Sequence, residues 1–176
     1  MRKLILLACA LVGAAALALS SGASGQTSGV LSIEQGRGIV VLEIRGVVLG
    51  RLASGMLRVT DQTPRDRFQE TVNGRVVEPQ YVGPRTSVYR GQGLRFRMVG
   101  GRFRIVVRGS GIAISAMGRG LVHLDGESKL GESTGLYAIN DGIDCSIQPA
   151  LCTPLPEERE TFLLGASEDT PVSRSP

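Results

Sequence analysis

A chain of 176 residues, 42 % of them hydrophobic, is long enough for one domain with a substantial core and needs no second one. Its formal net charge is only +4, from 20 Lys and Arg against 16 Asp and Glu, and it has no Trp, 3 Tyr and 4 Phe. That balance excludes a polybasic nucleic-acid binder, and the shortage of aromatics removes the stacking platforms that single strands and sugar rings favour.

The first segment to leave the fold argument is the N-terminus. Arg2 and Lys3 form a short positive region, residues 4–19 are an unbroken run of apolar and small residues, and Ala23-Ser24-Gly25 offers a cleavage signal before Gln26. This is the pattern of a helical secretory signal peptide over residues 1–25. The run is short for an uncleaved anchor, which needs about 20 apolar residues, and Cys9 lies inside it rather than after it, as a lipobox cysteine would. No second apolar run is long enough to span a membrane, so the mature chain is expected to carry no transmembrane segment. Cleavage would leave 18 basic against 16 acidic residues, with Lys129 the one remaining lysine.

Residues 26–165 read as a single β-domain. Val30 to Glu34, Ile39 to Arg45, Val47 to Leu52 and Met56 to Thr60 are expected as short strands punctuated by Gly36, Gly38, Gly46 and Gly55. Asp61 to Asp66, with Pro64, is expected as a loop. Asn73-Gly74 is expected to turn a tight hairpin, because both residues accept the left-handed region. Pro79 and Pro84 mark an edge segment, since proline cannot donate to a ladder.

Leu94 to Arg108 alternates apolar and polar on either side of Gly100-Gly101, which predicts a second hairpin. Met98 would meet Phe103, Phe96 would meet Ile105, and Leu94 would meet Val107. The other face would carry Arg95, Arg97, Arg102 and Arg104, with Arg97 opposite Arg104. Ile112 to Ala116, Leu121 to Asp125, Leu136 to Asn140 and Glu160 to Leu164 follow as strands, and residues 166–176 as a flexible tail. No segment after the signal peptide has a helical apolar period. The expected fold is all-β: a single antiparallel β-sandwich or open β-barrel of roughly eight to ten short strands. The order strand, Arg45-Gly46, strand, Gly55 resembles the order strand, Arg108-Gly109, strand, Gly120, which suggests an internal repeat.

Three groups of residues could carry chemistry. The arginine face of Arg95, Arg97, Arg102 and Arg104 could dock an acidic protein or an anionic envelope polymer. It could equally be neutralised within the fold, for instance by Glu157, Glu158 and Glu160. Cys145 and Cys152 are the two cysteines of the mature chain and read as a disulfide in an oxidising compartment. Asn140, Asp141 and Asp144 bring side-chain oxygens together as a hard cation would need, although Asn-Asp-Gly is also an ordinary turn. The single histidine, His123, shares a strand face with Leu121 and Asp125, and no Gly-x-Ser-x-Gly nucleophile elbow accompanies it. No cofactor is called for.

These observations lead to an exported, non-catalytic β-domain acting as a cell-envelope or secreted structural or partner-binding module. The alternatives are a small secreted hydrolase whose site assembles only in the fold, and a module that binds anionic surface polymer through its arginines.

Overall fold

The computed structural model describes residues 28–63, 65–129 and 133–165. The expected signal peptide and C-terminal tail lie outside the described residues. The chain is all-β and antiparallel, with no α-helix among the described residues. Its elements are β1 (Gly29–Asp61), β2 (Gln69–Gly83), β3 (Thr86–Gly126), β4 (Leu136–Ile139), a 3-10 turn (Pro149–Leu151), β5 (Thr153–Pro154) and β6 (Glu160–Leu164).

The strands are fewer and longer than the sequence leads one to expect. β1 has 33 residues and β3 has 41, and each absorbs several of the short strands read from the glycine punctuation. β1 lies between two stretches of β3. Val40 pairs with Val107 on one side and Leu124 on the other; Val48 pairs with Met98 and Ala116. The two flanking residues are therefore 17 or 18 positions apart in β3. Seventeen extended residues span about 56 Å, whereas the two neighbours of one strand lie about 10 Å apart. Both long strands must therefore coil, and each pairs with successive turns of the other.

Glycine sets where they bend. Gly55 pairs with Gly91 and Gly109, and Gly38 pairs with Gly109 and Gly126, so five glycines form one row across the ladder. Gly118 pairs with Gly29 and Gly46 in a second row. A Cβ on Gly38 would overlap the carbonyl oxygen of Asp125; on Gly55 it would overlap that of Arg108, and on Gly109 that of Ser54. Backbones approach at these corners so closely that no side chain can start there.

The Gly100-Gly101 hairpin is not formed. Both residues have positive φ, 72° and 63°, but β3 runs straight through them. Arg102 pairs with Arg45 and Val99 with Val47, so two β3 residues stand against Gly46 as a bulge. A bulge and a tight hairpin turn ask for the same backbone angles, so the dipeptide cannot tell them apart. The loop before β2 covers the bulge: the Arg102 amide donates to Asp66 Oδ2 at 2.8 Å, and the rings of Phe68 and Phe103 lie 5.1 Å apart. Asn73-Gly74 likewise stays inside β2, with Asn73 opposite Arg95 and Arg75 opposite Gln92. The real hairpin is at Pro84-Arg85, between the paired Gly83 and Thr86. β2, which contains Pro79 and ends just before Pro84, is an edge strand, as those prolines indicate.

Alternation decides what is inside. Leu31, Leu42, Leu94, Met98, Phe103, Ile105, Val107 and Ile112 are all 0 % exposed, and each such side chain contributes about 1.5–3 kcal/mol by leaving water. Gly50 leaves room for the Phe96 ring, which lies over it. The suspected repeat has a counterpart in the pairing: Gly101, Gly109 and Gly118 each follow Gly38, Gly46 and Gly55 by 63 positions. Exchanging β1 and β3 at that shift turns the pair Gly46–Gly118 into Gly55–Gly109, and Val40–Val107 into Ile44–Phe103. Gly55 thus corresponds to Gly118 rather than to Gly120.

The corner rows give a sharp contrast between glycines. Gly109→Ala should lower stability by about 3 kcal/mol or more, because backbone must move. Gly83→Ala, with nothing within 4 Å of the added methyl, should stay within about 0.5 kcal/mol. Urea unfolding of the two variants measures both.

Candidate functional site

The four arginines expected on one hairpin face are divided by the bulge. Arg97 lies between Leu49 and Thr71, and Arg95 between Arg51 and Asn73. Arg104 lies between Glu43 and Thr60, and Arg102 beside Arg45. Arg97 therefore does not oppose Arg104. The acid beside Arg104 comes from β1: Arg104 Nε is 2.9 Å from Glu43 Oε1, although its N–H is not aligned on the carboxylate. Glu160 sits elsewhere, paired with Leu124.

The first neighbourhood is a mixed face. Direct cross-strand partners share a face, so Val99, Val47 and Met117 form one row and Arg97, Leu49 and Ser115 the next. Leu49 is 48 % exposed, Met117 58 % and Val47 38 %, an apolar trio on two adjacent strands. Arg95 and Arg97 stand beside it. Next to it runs a shallow groove of about 440 Å³, floored by Ser32, Ala113 and Ser115 and bounded by Arg51, Arg95 and Asp144. Arg51 is held to Glu34 at 2.5 Å.

Cys145 and Cys152 form a disulfide that closes the loop between β4 and β5. The loop is pinned as well as closed: the buried Cys145 donates its amide to Ser32 Oγ at 2.9 Å, on β1. Asp144 Oδ1 accepts from the amide and hydroxyl of Ser146 at 2.9 and 2.7 Å. Those two bonds, the hydroxyl first, hold the Asp144 carboxyl below its usual range. Asp141 Oδ1 accepts from the Ile143 amide at 2.9 Å. Asn140 bridges to the C-terminal strand region, donating to the Leu163 carbonyl at 2.8 Å and accepting from the Gly165 amide at 3.1 Å. The three residues weighed as cation ligands thus each cap a turn or tie two segments together.

The second neighbourhood was not anticipated as a unit. Arg102, Arg45 and Arg119 follow one another across three adjacent strand segments. Two residues further along β3 come Arg104, then Val106 with Arg58 beside it, then Arg108 with Met56 beside it. The sequence held a signal: Arg45 and Arg108 each precede a corner glycine, so the repeat places both on equivalent ledges.

His123 lies on this second face, between Val41 and Thr161, as its alternation with the buried Val122 and Leu124 requires. Its Nδ1 is 2.8 Å from Thr161 Oγ1. Burial lowers its pKa, the Arg159 and Arg104 charges lower it further, and Glu43 opposes them. Elsewhere, at the start of β3, Tyr89 and Ser87 both donate to Glu70 Oε1 at 3.1 Å, and burial together with that carboxylate pushes the Tyr89 phenol up.

No protein-family model matches this chain, and no curated protein and no solved structure matches it. The geometry alone therefore carries the functional reading.

Two outcomes follow. Cys145→Ser with Cys152→Ser should cost about 2–3 kcal/mol in urea unfolding, the loop-closure contribution of so short a ring. For His123, a lowered folded-state pKa means that the unfolded chain binds the proton more tightly. Its contribution to stability is present above pH 6.5 and is lost as pH falls toward the folded value. An NMR titration of the single imidazole should give a midpoint below 6.5, and His123→Gln should flatten that part of the stability profile.

Proposed function

We propose that the chain is an exported, non-catalytic β-domain that acts as a structural, partner-binding module of the cell envelope or the extracellular medium. The observation that carries this reading is the apolar trio Val47, Leu49 and Met117, held in water by strands whose opposite faces are fully buried. An exposed apolar surface of this kind recognises by area rather than by reaction. Arg95 and Arg97 at its margin suit an acid-rimmed protein partner.

The same reading takes the coiled ladder as a flattened barrel, a two-layered sandwich whose corners are the glycine rows. Such a scaffold holds its outer faces still without help from a ligand. Support for the non-catalytic reading comes from His123, whose ring nitrogen is engaged by Thr161 on an open strand face. Support for export comes from residues 1–25 and from the disulfide.

Intact mass of the protein recovered outside the cytoplasm should show residues 1–25 removed; a full-length cytoplasmic product would overturn the export reading. The exported protein should co-sediment with isolated envelopes of the producing cell. Leu49→Asp with Met117→Asp should lower the retained fraction about tenfold or more, while the thermal midpoint stays within about 2 °C. Retention that survives both charges removes this face from consideration.

A further inference from the structure

We propose that the second face, built on Arg45, Arg102, Arg104, Arg58 and Arg108, binds a linear acidic polysaccharide, carboxylated or sulfated. This surface is distinct from the apolar trio and does not rest on it.

Arg45 and Arg102 are direct cross-strand partners, and the row continues to Arg119. Arg102, Arg104 and Arg108 alternate with Phe103, Ile105 and Val107, all 0 % exposed, so the arginines project from the outer side of a packed sheet. Three acids lie near them, the first being Asp66, whose carboxylate accepts from the Arg102 amide at 2.8 Å. Glu43 is taken up by Arg104, and Asp125 stands against Ile39 on the far side of β1 from Arg108. The face therefore carries a clear excess of positive charge. His123, whose proton is disfavoured first by burial and then by Arg159 and Arg104, sits in that same field.

Like charges directly opposite destabilise a sheet. Here they occupy the most extensively paired part of the fold, where an anion bridging neighbouring guanidinium groups would relieve them. The spacing suits a polymer. Neighbouring strands lie about 4.8 Å apart and same-face residues along a strand about 6.7 Å apart. The result is a flat lattice of cations rather than a single pocket. Arginine presents a planar fork that takes carboxylate or sulfate with two parallel hydrogen bonds. Recognition through charge also needs no aromatic platform, which this chain lacks.

Other polyanions fit less well. A bilayer would favour exposed apolar anchors between the cations, but Val41 inside the face is buried, and the exposed Leu121 and Leu163 lie at its edge, on the far side of Glu43 from Arg104. Single-stranded nucleic acid would favour stacking residues between the arginines.

The test uses immobilised heparin and immobilised polygalacturonate, with phosphatidylglycerol vesicles as a third arm. The exported protein should be retained on at least one polymer at low salt and released as salt rises. Arg45→Glu with Arg102→Glu should weaken retention about tenfold or more, whereas Arg95→Glu with Arg97→Glu should behave as the unmodified protein. Arg58→Glu with Arg108→Glu should also weaken retention, and it decides the matter if the first pair fails to fold. Without ligand, Arg45→Gln should raise Tm by about 1–3 °C by removing the cross-strand repulsion. Failure of the unmodified protein to bind either polymer, vesicle binding alone, or an equal loss from the Arg95 and Arg97 change would each overturn the proposal.

Discussion

A carbonyl oxygen occupies the place where a side chain would begin at Gly38, Gly55 and Gly109. That close approach lets two extended chains turn a corner together without breaking their ladder. Because the corners are shared, a bend in β1 is matched by a bend in β3 at the same level. Between corners the chain keeps strict alternation, so every second residue faces inward. The filled interior, the arginine rows and the apolar trio are all consequences of where the corners fall.

Much of this was legible in the sequence at the level of single strands. Leu57 and Val59 face inward and Arg58 outward, as the period of two demands. Leu136 to Ile139 and Glu160 to Leu164 are strands where apolar runs stood between turn residues. What local pattern could not give was continuity. A glycine with positive φ ends a strand, bulges it or bends it, and only the partner across the ladder decides which. At Gly100-Gly101 that partner is Gly46, far away in the chain.

The candidate surfaces were legible in kind but not in membership. An excess of outward arginines was evident between Arg85 and Arg119. Grouping them needed the register, because Arg45 and Arg58 come from the other long strand. The disulfide followed from the cysteine count, but its anchoring to Ser32 did not, since nothing local connects residues 32 and 145. Asn140, Asp141 and Asp144 show the converse: oxygens clustered in sequence are spent on amides once the loop is folded.

The interleaving of β1 and β3 also dictates an order of events. Gly29 finds its partner at Gly118, and Gly38 has a second one at Gly126. The pairs between β1 and β3 therefore span from 26 positions, at Thr60–Thr86, to 89, at Gly29–Gly118, and such distant pairing makes assembly slow. β1 and β2 each pair with β3 and not with one another, so neither has its main ladder before β3 is made. If the chain is exported as proposed, that delay keeps it extended enough to be threaded through a narrow conduit before its ladder closes.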